Sequence, residues 1–362
     1  MNRKLTSLFI ALFIALPLLA QVRGNIAIPD LNGYVTLKCD FHAHTVFSDG
    51  LVWPTVRIDE AYREGLDAIA ITDHIEYRPY KDDVVASHNR SYEIAKKRAE
   101  EKGIILIKGS EITRKMPPGH SNALFLTDSD SLDTPEYIDA FRAAKAQNAF
   151  IFWNHPNWAA QQPDTTLWMD EHTELFQHGL MHGIEVVNRS YCPEAHRWCL
   201  EKKLTMLGNS DIHQPIQSDV NFSAGKRRTM TLVFAKNATA EGIREALFER
   251  RTAVYSDDLV VGEEKFLKEI FEKALEWKVE KSDSITVRIT VKNKSDLTFR
   301  LKKTQHDARL LYFREFTIVP QGEHSIVVKL QDDVEGGDVN FIVDNFLVLP
   351  NQGMRWTVKI AK

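Results

Sequence analysis

The sequence predicts an α/β domain of parallel strands and helical crossovers, followed by a small all-β antiparallel sandwich. After Leu31, apolar runs rich in β-branched residues alternate about seven times with amphipathic helical stretches, a pattern typical of parallel strands joined by helices. Beyond residue 280 the apolar residues recur with period two, and turn residues separate the runs. This second pattern is typical of an antiparallel sheet.

The first domain is predicted over residues 21–260. Its strands are predicted at residues 35–40, 68–71, 104–108, 149–153, 183–187, 205–207 and 229–234, with an extra strand at 122–126. Its helices are predicted at residues 55–64, 91–101, 135–147, 194–202 and 240–250. Residues 261–280 are predicted to form a connecting helix, because apolar residues recur at helical spacing from Phe266 to Trp277. Residues 281–362 are predicted to form the sandwich.

Residues 1–20 have the pattern of a cleavable secretory signal. Arg3 and Lys4 precede a continuous apolar run that ends at Ala20 and is short for a membrane span. We therefore expect export to the periplasm or the medium, cleavage near Ala20, and no transmembrane segment in the mature chain. In an oxidising compartment Cys192 and Cys199 could pair or remain buried thiols, and both alternatives stay open.

The charge balance excludes a general affinity for nucleic acid. Lys and Arg number 46 and Asp and Glu number 50, so the formal net charge is −4. A mildly acidic protein does not attract a polyanion. The basic cluster Lys226-Arg227-Arg228 leads into an apolar run and is typical of a solvated strand entrance. We expect no nucleic-acid partner.

Residues 40–50, DFHAHTVFSDG, have the pattern of a metal site. His42 and His44 are two positions apart on a strand-like run, so their side chains point to the same face. Asp49 adds a carboxylate, and imidazole and carboxylate are ligands of Zn, Mn and Fe. Two histidines in an isolated HxH pattern are more often not metal ligands, so the rest of the sequence must show whether a metal site is present.

Further polar residues follow the later predicted strands, where a parallel α/β barrel places its active site. The candidate ligands at these strand ends are Asp73, His74, Glu111, His120, His155, Glu185, Asn188, Asp211 and His213. Their recurrence in order along the chain indicates a polynuclear site, because each ion takes several ligands and one carboxylate can bridge two ions.

In these motifs the chain resembles the PHP family of polymerase and histidinol phosphatase domains. The matching motifs are HAH at 42–44, SDG at 48–50, TDH at 72–74, Glu111, HP at 155–156 and SDIH at 210–213. The resemblance covers residues 32–257. It implies a distorted (β/α)7 barrel, two to three divalent ions such as Zn, Mn or Fe, and most often phosphoester hydrolysis.

The resemblance also implies three groups of metal ligands. The implied groups are His42, His44, Glu111 and Asp211 for one ion, Glu111 as a bridge with His120 and His155 for a second, and Asp49, His74 and His213 for a third.

For catalysis we expect attack on phosphorus by a metal-bridging hydroxide. Asp211 and His213 are the candidate catalytic residues among the ligands. A positive side chain beside the metals would bind the remaining phosphate oxygens, and the fork of arginine suits this task. Arg114 and Arg189 are the nearest candidates by loop position, although a lone loop arginine is usually solvated.

Three functions from different classes fit these observations. The first is an exported metal-dependent phosphoesterase acting on a small phosphorylated metabolite, most simply a phosphomonoester. The second keeps the metal site and hydrolyses an amide or a non-phosphate ester. The third is a non-enzymatic envelope protein whose C-terminal sandwich docks a glycan or another envelope partner.

Overall fold

The computed structural model describes residues 22–304, 308–331 and 334–361. The secretory signal predicted at residues 1–20 lies outside these residues. Within the described ranges, no helix has both the length and the apolar character that a membrane crossing requires.

The elements of the first domain alternate in the predicted manner. Its strands are β1 Val35–Asp40, β2 Ala68–Ile71, β3 Ile105–Thr113, β4 His120–Leu124, β5 Phe150–Trp153, β6 Gly183–Asn188, β7 Ser190–Tyr191, β8 Thr205–Gly208, β9 Met230–Ala235, β10 Thr252–Ser256 and β11 Leu259–Gly262. Its helices are α1 Pro54–Glu64, α2 Arg90–Lys102, α3 Tyr137–Ala146, α4 Asp170–Gln177, α5 Pro193–Lys202, α6 Ile216–Asp219 and α7 Ala240–Phe248.

The strands form a distorted barrel, as predicted, but their directions are mixed. β1, β2 and β3 are parallel, β5, β6 and β8 are parallel, and β4 lies antiparallel between β3 and β5. The prediction of a parallel strand at residues 229–234 is wrong in direction, since β9 runs antiparallel to β1. Only the four-residue α6 and a 3-10 turn separate β8 from β9, so a crossover helix is missing there.

The barrel closes between β8 and the β9–β10 pair through threonine side chains. Thr231 Oγ1 accepts a hydrogen bond from Gly208 N at 3.0 Å, and Thr252 Oγ1 donates to Met206 O at 2.8 Å. Gly208 permits this approach, because a Cβ there would lie 2.1 Å from Val254 Cγ1. The interior below the site is apolar, with Phe41 fully buried at its centre.

The second domain contains two antiparallel sheets. They consist of β12 Leu275–Lys281, β13 Thr286–Asn293, β15 Leu310–Leu311 and β17 Glu323–Leu330 in one, and β14 Phe299–Lys303, β16 Glu315–Ile318, β18 Gly336–Leu349 and β19 Gln352–Ala361 in the other.

The connecting helix is shorter than the predicted residues 261–280. The helix α8 spans Glu264–Ala274, and β12 begins at Leu275 without a loop. Trp277 therefore lies in a strand, paired with Val291, rather than on the helix. Leu275, Trp277 and Val279 also alternate with period two, so the same residues fit a strand, and pairing with β13 decides the outcome.

The two domains share a sheet. β18 pairs in parallel with β11, with Val260 opposite Phe346 and Val261 opposite Leu347. The sheet of the barrel therefore continues into the sandwich. The cysteines Cys39, Cys192 and Cys199 are free and buried.

Candidate metal centre

The first and last predicted motifs lie side by side beyond the ends of β1 and β8. Ala43 and Ile212 form a parallel bridge, His44 N donates to Ile212 O at 3.0 Å, and Asp211 N donates to His42 O at 2.9 Å. This pairing brings Asp211 Oδ1 to 3.1 Å from both His42 Nε2 and His44 Nε2, so the two imidazoles and the carboxylate face one space.

The middle motifs converge in the same way at the ends of the other strands. His74 and Glu111 form a parallel bridge beyond β2, and Ile75 N donates to Glu111 O at 2.9 Å. Asn154 N donates to His120 O at 3.0 Å, which places His155 beside His120. Backbone pairing between neighbouring strand ends thus sets the positions of the side chains.

Glu111 is the centre of the site and is fully buried. Its carboxylate contacts imidazoles from several strand ends: Oε2 lies 3.2 Å from His42 Nε2, 3.3 Å from His44 Nε2 and 3.1 Å from His74 Nδ1, and Oε1 lies 2.7 Å from His120 Nδ1 and 3.7 Å from His155 Nε2. A carboxylate in this position can bridge two ions.

A second carboxylate, Asp49, lies at the mouth of the site. Its Oδ1 is 3.2 Å from His213 Nε2, 3.3 Å from His74 Nε2 and 3.9 Å from His44 Nδ1. The structure therefore brings Asp49, His74 and His213 together, as the sequence predicts, and adds His44 to this group.

Four overlapping groups of side chains have ligand atoms within 4.8 Å of one another. The groups are His44, Asp49, His74 and His213; His42, Glu111 and His155; His42, His44 and Asp211; and His74, Glu111 and His120. All of the predicted ligands belong to at least one group. The grouping differs from the predicted one in detail, since His42, His44 and His74, in addition to Glu111, each take part in two groups and link the clusters.

Unsatisfied buried atoms fit the presence of cations. Within the described ranges, His155 Nδ1 is buried without a hydrogen-bond partner, and Glu111 Oε1 and His120 Nδ1 are buried 2.7 Å apart without the angle of a hydrogen bond. Buried polar atoms are normally paired, because each unpaired one costs about 1–3 kcal/mol. Imidazole nitrogens and a carboxylate oxygen are suitable donors to Zn, Mn or Fe, so the residues fit a divalent ion.

The charges of the ligands compensate one another. Burial favours the neutral acid, but the nearby His74 and His42 outweigh it and hold the pKa of Glu111 well below its usual range. Burial opposes protonation of His74, yet Glu111 and Asp49 raise its pKa to about 9. For His44, burial and the neighbouring His74 lower the pKa to about 3. The carboxylates are therefore ionised before any metal binds.

Glu185 supports the ligands from behind rather than joining their groups. Its Oε1 lies 2.9 Å from His42 Nδ1, and its Oε2 accepts hydrogen bonds from His155 N at 2.8 Å and Asn188 Nδ2 at 2.9 Å. Sequence reasoning placed Glu185 and Asn188 among candidate ligands at a strand end. The structure gives both a supporting role, since side chains around a metal site commonly orient its ligands.

Asp73 was also expected among the candidate ligands, and the structure gives it a supporting role. It accepts hydrogen bonds from Thr45 N at 2.7 Å and Ser48 Oγ at 2.9 Å, and so holds the loop that carries Asp49. One further supporting residue was missed by the sequence analysis. Arg57, on α1, is fully buried and donates to the backbone beneath the ligands, and its sequence context gave no signal.

The ligands open into a cavity of about 550 Å³, which we call the metal cavity. Its walls include the side chains of Tyr77, Asn157, Trp158 and Arg189. Arg114 is not among the lining residues. Its guanidinium lies 2.6 Å from Glu76 Oε1 and donates to the carbonyls of Thr134 and Pro135. These contacts hold Arg114 against the neighbouring loop.

Fold and site together define a class of protein. A barrel with a cluster of histidines and carboxylates at its strand ends, in a cavity of small-molecule size, is typical of a metal-dependent hydrolase. Comparison with protein families matches residues 40–204 to the PHP domain and residues 274–359 to an Ig-like domain.

A solved structure from Bacteroides vulgatus is similar over nearly the whole chain. It is a two-domain protein containing a predicted PHP-like metal-dependent phosphoesterase, 56% identical, with a TM-score of 0.93 over 94% of this chain and 100% of that one. The chain therefore belongs to the PHP family, and the family prediction is confirmed.

Two curated proteins are similar over short segments. An uncharacterised protein of Methanocaldococcus jannaschii is 39% identical over 82 residues, and a 5′-3′ exoribonuclease of Haemophilus influenzae is 38% identical over 79 residues. These segments cover 23% and 22% of this chain, and 36% and 24% of the relatives. The chain thus spans about a third or less of these relatives.

Proposed function

We propose that the protein is an exported metal-dependent phosphoesterase that hydrolyses a small phosphorylated metabolite, with a phosphomonoester as its simplest substrate. The observation that carries this proposal is the arrangement around Glu111, whose buried carboxylate faces imidazoles from several strand ends in one open cavity. Membership of the PHP family and the description of the Bacteroides vulgatus protein support the phosphoester bond as the target.

The groups that would hold the ions are the overlapping ligand clusters around Glu111 and Asp49. When bound there, divalent ions supply hydroxide near neutral pH and positive charge toward the phosphate oxygens. Asp211 and His213 line the same cavity and are partly exposed to it, with 14% and 23% of their side chains accessible. We assign them to contact with the reacting phosphate.

The cavity wall favours a small anionic substrate. Arg189 is exposed at the rim, where its planar fork can bind phosphate oxygens in pairs. Tyr77 and Trp158 form apolar walls beside His74 and His155. A volume of about 550 Å³ suits a metabolite rather than a polymer, in agreement with the acidic net charge.

The test combines metal analysis with a substrate screen on the mature chain. We expect two to three divalent ions per chain and hydrolysis of at least one phosphomonoester, with loss of both in a Glu111→Gln variant. Metal-loaded protein that hydrolyses no member of a broad phosphoester panel would overturn the proposal.

Anion inhibition separates this proposal from an amide or ester hydrolase with the same metals. Phosphate and vanadate should compete with substrate at a phosphoryl-transfer site. Turnover of a non-phosphate ester that these anions leave unaffected would instead support the other bond type.

Export and a partner for the sandwich belong to the same proposal. The charged and then apolar sequence of residues 1–20 supports a secretory signal. N-terminal sequencing of protein recovered from the cell envelope tests cleavage near Ala20.

For the Ig-like domain we propose an envelope component as partner. Binding of the mature chain to glycan arrays is the test.

A further inference from the structure

A second cavity of about 530 Å³ lies next to the metal cavity. The two are separated by the segment that carries the SDIH motif. Asp211 and His213 line the metal cavity, whereas Ser210 and Ile212 line the second cavity. Arg189 lines both. The two cavities therefore meet at this arginine.

Arg189 is placed to contact a ligand in either cavity. It occupies the turn between β6 and β7, where Asn188 pairs with Ser190, and its backbone has a φ of 55°. Its side chain is exposed, and in the described part of the chain the guanidinium has no ion-pair or hydrogen-bond partner. The charge is free for a ligand.

The walls of the second cavity add groups that bind anions. Lys226 forms an ion pair with Asp257 at 3.1 Å, but both side chains are about half exposed, so the pair is weak and open to exchange. Thr229 Oγ1 and Ser256 Oγ lie 2.7 Å apart, so one hydroxyl donates to the other and one hydroxyl hydrogen remains for a ligand. An ammonium and a hydroxyl donor in the lining of one cavity suit a carboxylate or a phosphate.

Four cationic and two acidic side chains line the second cavity. They are Arg189, Lys226, Arg227 and Arg228 against Asp219 and Asp257. Arg228 is buried and compensated by Asp40 and Glu64, and Arg227 lies 3.5 Å from Asp296; none of these three acids lines the cavity. The attraction for a negatively charged ligand group therefore comes from Arg189, whose charge has no partner in the described part of the chain, and from the exchangeable Lys226.

We propose that the second cavity binds a second anionic group of the substrate, a carboxylate or a phosphate. Lys226 and the hydroxyls of Thr229 and Ser256 recognise this group, and Arg189 lies between the two anions. The inference rests on the proposed function and narrows it: the substrate is a phosphoester whose leaving group carries an anion of its own.

The first test compares matched substrates on the metal-loaded mature protein. Alkyl phosphomonoesters of increasing length are prepared with a carboxylate, a phosphate or an uncharged carboxamide at the far end. We expect kcat/KM to be about tenfold higher for an anionic end at the optimal length, since charge-assisted hydrogen bonds are about twice as strong as neutral ones. The carboxylate and phosphate series distinguish the two sources of charge.

The second test uses variants with opposite expected signs. Lys226→Gln should lower the preference for an anionic end about five- to tenfold. Asp257→Asn should raise that preference, because Lys226 loses its competing partner. Lys278→Gln is the matched control, since Lys278 forms a comparable exposed ion pair with Glu280 at 2.7 Å on β12.

The outcomes separate this inference from the proposed function. If no phosphoester in any series is hydrolysed, the proposed function itself fails. If carboxamide-ended esters are hydrolysed as well as anionic ones, the second site is refuted while the phosphoesterase stands. Changes of the preference in the same direction in both variants show a structural role and also refute the site.

Discussion

Glu185 Oε1 lies 2.9 Å from His42 Nδ1, and this buried contact determines which nitrogen of the imidazole faces the metal site. The opposite nitrogen, Nε2, points to Glu111 and Asp211 at 3.2 and 3.1 Å. A carboxylate that accepts from one ring nitrogen fixes the tautomer and raises the basicity of the other. Glu185 thus prepares His42 to act as a ligand.

Glu185→Gln should weaken metal binding without removing a ligand. The amide keeps the size of the side chain but loses the charge. Its NH2 group would face N–H groups from which the Glu185 carboxylate accepts hydrogen bonds, and an NH2 group cannot accept them. We expect metal affinity to fall about 10- to 100-fold, measured by competition with a chromogenic chelator. Glu245→Gln on α7, a partly exposed glutamate paired with Arg251, is the control. An unchanged affinity in Glu185→Gln would show that the contact does not support the ligand.

Metal binding should release protons near neutral pH. The pKa of His74 is raised to about 9 in the absence of metal, because Glu111 and Asp49 outweigh its burial, so its imidazole is protonated at pH 7.5. A metal must displace this proton, and apparent affinity should therefore rise with pH up to about 9. Calorimetric titrations in buffers of different ionisation enthalpy measure the proton count.

The raised pKa of His74 has the opposite effect on the stability of the metal-free fold, which falls as the pH rises. A raised histidine pKa stabilises the folded state below the ordinary pKa, and this contribution is lost as the pH rises through about 9.

The control for proton release is His74→Asn, which should release about one proton fewer than the parent protein on metal binding. Binding heats that do not depend on the buffer would contradict the assignment.

Arg57 should be essential for stability rather than for chemistry. It is fully buried and donates to the carbonyls of His44, Ile212, His213 and Gln214. Its guanidinium also pairs with Glu60 at 2.7 Å. Removing one partner of a buried pair costs about 3–5 kcal/mol.

Arg57→Met should therefore lower the urea midpoint strongly, and Arg57→Lys should be intermediate because it keeps the charge and loses the planar fork. Arg90→Met, at an exposed ion pair with Glu93, is the control and should change stability by less than about 1 kcal/mol. Equal midpoints for the Arg57 and Arg90 variants would refute this role.

Substitution of the two candidate phosphate-binding arginines should have different effects on kcat/KM. Arg189 lines the metal cavity, so Arg189→Ala should lower kcat/KM about tenfold or more at unchanged stability. Arg114 is held by Glu76 and by loop carbonyls, so Arg114→Ala should lower the melting temperature and leave kcat/KM near that of the parent. A larger kinetic loss in Arg114→Ala would reverse the assignment.

Sequence reasoning located most of the barrel strands because each apolar run is bounded by polar residues. The predicted strand at residues 35–40 coincides with β1, and that at 68–71 with β2. It also identified the histidines and carboxylates that the structure brings together, since the HAH and SDIH motifs are local patterns. Strand direction is not local: β9 has the composition of a buried parallel strand but pairs antiparallel with β1.

The remaining differences have the same physical origin. Trp277 fits both helical and strand periodicity, and only its partner Val291 decides between them. Arg114 and Arg189 both follow strand-end acids, and only tertiary contacts show that Glu76 holds Arg114 away from the metal cavity. Buried support such as that of Arg57 comes from carbonyls distant in the chain, which leave no pattern in the sequence.

The sandwich should fold as one cooperative unit with the barrel. Leu347 of β18 is almost fully buried and packs with Val254 and Val261 in a core cluster that belongs to the barrel. Leu347→Ala should therefore destabilise the barrel by about 2–5 kcal/mol, whereas Leu311→Ala, at a leucine that is 65% exposed on β15, should have little effect. Thermal unfolding followed by calorimetry should show one transition that shifts as a whole in Leu347→Ala, and metal-dependent activity should be lost in the same transition.

A chain ending at Gly262 lacks β18, so the outer edge of β11 loses its partner and this protein should aggregate. Two separate transitions, or full activity in the shortened chain, would show that the barrel is independent and that the sandwich serves another purpose.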